Sequence, residues 1–140
     1  MNRPDPADRH RGGWSPDDLL TIRTSASADR VLVVVDGDVD MATAPRLRDG
    51  LQEALGYRAD TILVDLTAVS YIGSHGVAAL LDARADAEQS GAALVLILGE
   101  NHLVRRVLAI AGVDQVLALH RTVEDACAGN DTESHGWGTA

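Results

Sequence analysis

The sequence has no lysine, a single cysteine and no long apolar run, and each absence excludes a class of protein. All 12 basic residues are arginine, so enzymatic mechanisms that require a lysine side chain are excluded. Cys127 alone can form neither a disulfide scaffold nor a cysteine-based zinc site, and it is compatible with a reducing cytoplasm. No window approaches the roughly 18 consecutive apolar residues of a membrane-spanning helix, and residues 1–16 contain no apolar signal core. We therefore expect a cytoplasmic protein with no membrane partner.

Charge and histidine placement exclude further classes. The 12 arginines are outnumbered by 21 acidic residues, which gives a formal net charge of −9. Without a basic stripe, this charge argues against direct binding of nucleic acid, because such binding depends on neutralised phosphates. The five histidines are scattered without ligand spacing, so we predict no metal site and no cofactor. A chain of 140 residues, 46% of them hydrophobic, suffices for one domain with an apolar core.

The periodicity of the apolar residues predicts an α/β fold. Residues 1–17 and 129–140 are polar and are expected to be flexible tails around one domain at residues 18–128. Within that domain, β-prone runs alternate with helical patterns in the order β-β-α-β-α-β-α-β-α. Such alternation predicts a mixed central β-sheet of about five strands with about four helices packed on it. The predicted strands are Leu19–Thr24 and Arg30–Val35, which form a hairpin, then Thr61–Leu66, Ala92–Leu98 and Val116–Leu119.

Polar residues that can cap helices precede each predicted helix. Thr43 precedes an amphipathic pattern that ends near Leu55, and Ser74 precedes a second pattern over Val77–Gln89. Asn101 and Thr122 are the corresponding candidates for the third and fourth helices.

Three carboxylates alternate along Asp36–Asp40, directly after an apolar strand. A calcium loop of the EF-hand type is excluded, because Met41 and Leu47 occupy positions that need glycine and glutamate. An aspartyl-phosphate enzyme, with Asp36 as nucleophile and Asp38 as acid/base, fits the local pattern but lacks the usual lysine. The simplest interpretation is a solvated acidic turn between a strand and a helix, with contact to a partner protein as the other open possibility.

The segment Gly73–Gly76 lies between a strand and a helix. A nucleophile elbow around Ser74 would need a glycine at position 72, where isoleucine stands, and the adjacent His75 would point away from the serine. An ordinary helix start, capped by Ser74, is one interpretation. Phosphorylation of Ser74 is another, because its hydroxyl would be exposed and a phosphate there would face free N–H groups of the helix.

Two arginines, Arg105 and Arg106, stand between Val104 and Val107 in the third predicted helix. They line a solvated helix face or meet acidic groups of a partner.

Three parts of the sequence, in their order and spacing, are similar to one bacterial family. They are Val33–Asp40 before Thr43, then Ile62–Leu66 followed by Val69–Val77, and finally Val104–Leu108 before Gly112. Together they resemble the STAS-domain anti-sigma-factor antagonists, and the resemblance extends over about Leu19 to Ala128. It implies a single STAS-type domain.

The resemblance also implies site residues. In this family, a serine at a strand-to-helix junction is phosphorylated by an anti-sigma factor that is itself a serine kinase. The matching phosphoacceptor here is Ser74, and the implied partner-binding residues are Asp38, Asp40, Gly73, Ser74, His75 and Gly76. Two positions differ from the family pattern, because Gly73 replaces the usual aspartate and His75 stands where small residues prevail.

The implied function is a non-catalytic partner switch. The unphosphorylated protein would bind the anti-sigma kinase and thereby release a sigma factor, and a PP2C-type phosphatase would reverse phosphorylation of Ser74. A scaffold that docks on a transporter or sensory complex without phosphorylation is the alternative that Gly73 and His75 favour. A metal-dependent phosphatase built on Asp36 and Asp38 is disfavoured by the missing lysine.

Overall fold

The computed structural model describes residues 20–132, so the predicted tail residues 1–17 and 133–140 lie outside the described residues. The elements follow the predicted order, which confirms the α/β fold with a mixed sheet. The strands are β1 (Leu20–Ala26), β2 (Arg30–Val39), β3 (Thr61–Ile72), β4 (Ala93–Ile97) and β5 (Ala118–His120), and the α-helices are α1 (Ala44–Leu55), α2 (Ser74–Gln89), α3 (His102–Ile110) and α4 (Val123–Thr132). A 3-10 turn at Val113–Gln115 precedes β5.

The strand directions bring several chain segments to one end of the sheet. The strands lie side by side in sequence order, with β1 antiparallel to β2 and every later neighbour parallel. The predicted hairpin is therefore confirmed, and β2 to β5 all finish at the same end, here called the carboxyl edge. β1 begins at this edge too, since Leu20 pairs with Gly37. The segments that leave β2 and β3 are consequently neighbours.

The sheet is covered unequally on its two faces. Alternate residues of the strands point to opposite faces, and the larger core lies between one face and helices α1, α2 and α3. On the other face, Ala126 of α4 packs with Leu63, Val95 and Ile97 in a smaller cluster. The last four residues of β4 are all buried, as predicted for a strand covered on both faces.

Two predicted strand ends were wrong by several residues. β2 continues through Val39 and β3 through Ile72, whereas both strands had been predicted to end several residues earlier. The segment after Val35 is therefore strand and not an acidic turn. Its pairing shifts register twice, and Gly37 adopts φ +123°, a conformation that favours glycine. These irregularities break the alternation on which the prediction rested. Helix α4 runs through Thr132, four residues beyond the predicted end of the domain.

Two of the four predicted caps are confirmed. Asn101 Oδ1 accepts a hydrogen bond from the Val104 N–H at 3.2 Å, and Thr122 Oγ1 accepts one from the Asp125 N–H at 2.9 Å. The predictions for Thr43 and Ser74 were wrong, because neither side chain caps its own helix.

Asn101 also connects α3 to the irregular part of β3. Its Nδ2 donates to the carbonyl oxygens of Leu66 at 2.9 Å and Val69 at 2.8 Å. One side chain therefore begins α3 and satisfies two carbonyls that the bulged strand leaves without regular partners.

Replacing Asn101 by aspartate should separate these two roles. The variant keeps an oxygen that can cap α3, but it places a carboxylate against the carbonyls of Leu66 and Val69. We expect Asn101→Asp to lower the free energy of unfolding by roughly 2–3 kcal/mol, because two hydrogen bonds are lost and like partial charges meet. Urea denaturation measures this loss. Thr122→Ala, which removes a cap alone, should lower it by about 1 kcal/mol, and equal effects of the two variants would contradict the connecting role.

Candidate functional site

The candidate site lies where β2 and β3 end side by side. The register pairs Asp38 with Tyr71 and Val39 with Ile72, and the Gly73 N–H donates to the Val39 carbonyl at 2.9 Å. The segment after β2 therefore lies against the start of α2. We call the half-buried and exposed residues of these segments the edge surface: Asp38, Asp40, Met41, Tyr71, Gly73, Ser74 and His75.

The edge surface contains two apolar residues that the sequence had not singled out. Met41 is 69% exposed and Tyr71 is 51% exposed. Neither belongs to an amphipathic pattern, so their exposure follows only from the extended strands and the tight turn that carry them. The defined surface holds the two carboxylates of Asp38 and Asp40 and no arginine, so it is both acidic and partly apolar.

Thr43 and Asp40 organise the turn that leads into α1. Thr43 is fully buried, and its hydroxyl donates to the Asp38 carbonyl at 2.7 Å and accepts from the Asp40 N–H at 2.9 Å. Asp40 Oδ1 in turn accepts from the backbone N–H groups of Ala42 at 2.9 Å and Thr43 at 3.0 Å. The carboxylate of Asp40 therefore holds the turn before α1, while the Arg46 and Leu47 N–H groups of the helix donate to the Thr43 carbonyl.

These hydrogen bonds favour the charged form of Asp40. The backbone N–H of Thr43 lowers the pKa of Asp40 most, and the Thr43 hydroxyl and the Ala42 N–H lower it further. Together they hold this pKa below its ordinary value of 3.8. The resemblance had placed Asp40 at the partner surface. In the structure, its carboxylate stabilises the turn between β2 and α1, which carries Met41.

Ser74 is the first residue of α2 and is exposed. The helix begins without help from its side chain, because Gly73 occupies the capping position and its carbonyl accepts from the N–H groups of Gly76 and Val77, each at 3.0 Å. Within residues 20–132, the Ser74 hydroxyl makes no hydrogen bond. It is therefore accessible and unconstrained at the amino end of a helix.

Gly73 lies under the ring of Tyr71. Its backbone is extended, with φ −107°, a conformation open to any residue. A Cβ placed there would lie 2.8 Å from the Tyr71 Oη and 3.3 Å from Cε2. The phenol therefore occupies the space where the aspartate usual in the family would project, and an aspartate would require this ring to move.

Gly76 differs from the other predicted partner-binding residues because it is buried. A Cβ at this position would lie 2.6 Å from Val39 Cγ1 and 2.8 Å from Ile72 Cγ1, closer than side chains approach one another. The glycine thus allows α2 to pack directly on the ends of β2 and β3. His75, the next residue back, is exposed and adds its bulk to the edge surface.

The remaining carboxylates of the Asp36–Asp40 segment do not form a metal-binding group in the described residues. Asp36 is exposed and Asp38 half-buried, and residues 20–132 contain no group of three acidic, histidine or cysteine side chains placed to hold a metal ion. None of the helices in that range has both the length and the apolar character needed to cross a bilayer.

The pKa of Asp40 predicts an acid-dependent loss of stability. Because this pKa is lower in the folded chain than in the unfolded chain, the charged form stabilises the fold above 3.8, and that stabilisation is lost as the pH falls through the folded pKa. Asp40→Asn should therefore be less stable than the wild type at neutral pH and should lose less stability on acidification. Urea denaturation across this range measures both effects. Asp49→Asn, which removes an exposed carboxylate of α1, is the control, and an equal pH response of Asp40→Asn and the wild type would contradict the role of Asp40.

The packing of Gly76 predicts a penalty for one added methyl group. Gly76→Ala should lower the free energy of unfolding by about 1–3 kcal/mol, since the close contacts with Val39 and Ile72 outweigh the better helix propensity of alanine. Thermal or urea denaturation measures this change. Gly50→Ala in α1 is the matched control, because its Cβ would meet only Ile22, at 3.1 Å, and it should cost less. A smaller loss at Gly76 than at Gly50 would show that α2 can move away from the strands.

Comparisons with known proteins agree with this architecture. A family model described as Mlab, STAS domain, matches residues 22–121. The anti-sigma-F factor antagonist RsfB of Mycobacterium tuberculosis is 25% identical over 116 residues, which are 82% of this chain and 93% of that protein. An anti-sigma-B factor antagonist of Listeria monocytogenes is 28% identical over 103 residues, 74% of this chain and 89% of that protein. The crystal structure of an anti-sigma factor antagonist from Mycobacterium paratuberculosis superposes with a TM-score of 0.69 at 26% identity, covering 82% of this chain and 97% of the other. The resemblance seen in the sequence is thereby confirmed, and the chain belongs to the STAS domain family.

Proposed function

We propose that this protein is an anti-sigma-factor antagonist that binds an anti-sigma factor with serine kinase activity and thereby releases a sigma factor. The observation that carries the proposal is the exposed, unbonded hydroxyl of Ser74 at the first position of α2. The printed names of the relatives from Mycobacterium and Listeria support the general role. The edge surface is the contact face, with Asp38, Gly73, Ser74 and His75 facing the partner and Asp40 holding the turn beside them.

Phosphorylation of Ser74 is the control step. The kinase transfers the terminal phosphoryl group of its ATP to the Ser74 oxygen, and the serine proton is lost. The product adds about −1.5 to −2 charges to a surface that already holds Asp38 and Asp40. Like charges brought together in an interface cost several kcal/mol, which suffices to separate the partners. A PP2C-type phosphatase removes the phosphate and restores binding.

The fold should tolerate this added charge. The first turn of α2 is held by the Gly73 carbonyl and by the packing of Gly76, and neither depends on the Ser74 hydroxyl. The amino end of a helix also favours an anion. The switch therefore acts on the interface, in a cytoplasmic protein that has no catalytic role and needs no cofactor of its own.

The second candidate function is a constitutive scaffold that docks on a transporter or sensory complex through the same edge surface. Gly73 and His75 favour it, because the usual acidic neighbour of the phosphoacceptor is missing and a bulky side chain follows the serine. In this case, binding would not depend on the state of Ser74.

Two substitutions of Ser74 separate the candidates. The binding partner in this test is the anti-sigma kinase encoded in the same genome. Ser74→Ala should bind this kinase and not be released on addition of ATP, and Ser74→Asp should bind it at least about tenfold more weakly than the wild type does. Calorimetry measures the affinities, and circular dichroism checks that both variants fold. Ser25→Asp adds the same charge to an exposed site at the opposite end of the sheet and should bind like the wild type.

Other outcomes decide against the switch. Equal affinity of Ser74→Ala and Ser74→Asp for the kinase would leave the scaffold as the better account. Peptide mass spectrometry on protein from native cells, before and after a general stress, gives an independent answer. Phosphate on Ser74 that changes with stress supports the switch, whereas an unmodified Ser74 in every condition supports the scaffold.

A further inference from the structure

Tyr71 is an exposed aromatic residue that the fold holds next to Ser74. Its side chain is 51% exposed at the end of β3, where its backbone pairs with Asp38. Within residues 20–132, its hydroxyl makes no hydrogen bond. Three atoms at the far end of the side chain, Oη, Cε2 and Cζ, lie 2.8, 3.3 and 3.4 Å from the place that a Cβ of residue 73 would take. Because glycine has no Cβ, the ring rests against the residue that directly precedes Ser74.

This contact gives Tyr71 the properties of an interface anchor. Tyrosine is enriched among the residues that dominate binding energies, because it buries a large apolar ring and can also form a hydrogen bond through its hydroxyl. A ring that already lies against the backbone loses less conformational freedom on binding. Met41, the other exposed apolar residue of the edge surface, has an unbranched side chain with three rotatable bonds, so fixing its conformation costs more entropy.

We infer that Tyr71 is a specificity-determining residue, which inserts into an apolar pocket of the anti-sigma kinase beside the site that receives Ser74, and that Gly73 is needed to hold its ring in place. This inference rests on the proposed function and names a contact through which the kinase is recognised. The pocket would present apolar side chains to the ring and one polar group to the free hydroxyl. On this account, glycine at position 73 favours kinase binding, although it departs from the family pattern.

A side chain at position 73 should move the ring without disturbing the fold. The atoms in its way belong to the free end of an exposed side chain, which can rotate. The backbone of Gly73, at φ −107°, is open to any residue. Aspartate and asparagine are also favoured at the position before a helix. Gly73→Asp and Gly73→Asn should therefore fold like the wild type while displacing the ring.

The test measures by calorimetry, without ATP, how tightly full-length variants bind the anti-sigma kinase encoded in the same genome. Tyr71→Ala should bind at least about tenfold more weakly than the wild type. Tyr57→Ala is the matched control, because it removes a tyrosine that is 52% exposed just after α1, and it should bind like the wild type. Gly73→Asp and the uncharged Gly73→Asn should each bind about tenfold more weakly, although the first restores the residue usual in the family. In the Tyr71→Ala background, Gly73→Asn should weaken binding no further.

NMR of the free protein locates the ring independently of the kinase. The wild type should show nuclear Overhauser effects between the ring protons of Tyr71 and the α protons of Gly73, and Gly73→Asn should lose them. Circular dichroism checks that every variant folds.

Four results would overturn the inference about Tyr71 alone. They are equal affinity of Tyr71→Ala and the wild type, weaker binding of Gly73→Asp but not of Gly73→Asn, an equal loss from Gly73→Asn with and without Tyr71, or no contact between ring and glycine in the free protein. The second result would assign the effect to charge, and the third to a direct clash with the kinase. In all four the wild type still binds the kinase, so the proposed function stands. A wild type that does not bind the kinase would overturn both.

Discussion

The position of Val39 controls how the end of the sheet is joined to helix α2. Its carbonyl accepts the Gly73 N–H at 2.9 Å, which extends the pairing of β2 and β3 to the start of the helix. Its side chain is fully buried and lies where a Cβ at Gly76 would project. One residue thus fixes the end of β3, the first turn of α2 and the distance between them. The exposed position of Ser74 follows from this packing, because Gly73 before it and Gly76 two residues after it are held against Val39.

The alternation of strands and helices could be predicted from the sequence because each buried face has a regular period. The apolar run at β4 and the amphipathic pattern of α1 are examples, and both elements were found close to their predicted ranges. The ends of β2 and β3 could not be predicted in this way. Gly37 and the register shifts around it interrupt the period of two, and charged residues occupy positions that face solvent. Only the pairing with the neighbouring strand keeps these segments extended.

The helix caps show a similar limit. Threonine and asparagine are both favoured at the position before a helix, yet Thr43 donates to the Asp38 carbonyl, while Asn101 does cap its helix. The difference arises from the bulged strands, which offer carbonyls to both side chains. Asn101 has separate donor and acceptor atoms, so it can serve the strand and the helix together. The Thr43 hydroxyl donates to the Asp38 carbonyl and accepts the Asp40 N–H, so both its hydrogen bonds go to the end of the strand and none to the helix.

The placement of the site residues followed from topology more than from any local pattern. Parallel strands that end at one edge pair Asp38 with Tyr71, three residues before Ser74, whereas their separation in the sequence indicates no such pairing. Exposure was harder to predict, because the resemblance named Gly76 among the partner-binding residues, whereas it is buried against Val39 and Ile72. Because of this packing, the residues that hold the fold at this edge are not the residue proposed to be phosphorylated. A group added to the Ser74 oxygen changes the charge of the edge surface, while the contacts that hold α2 remain behind it.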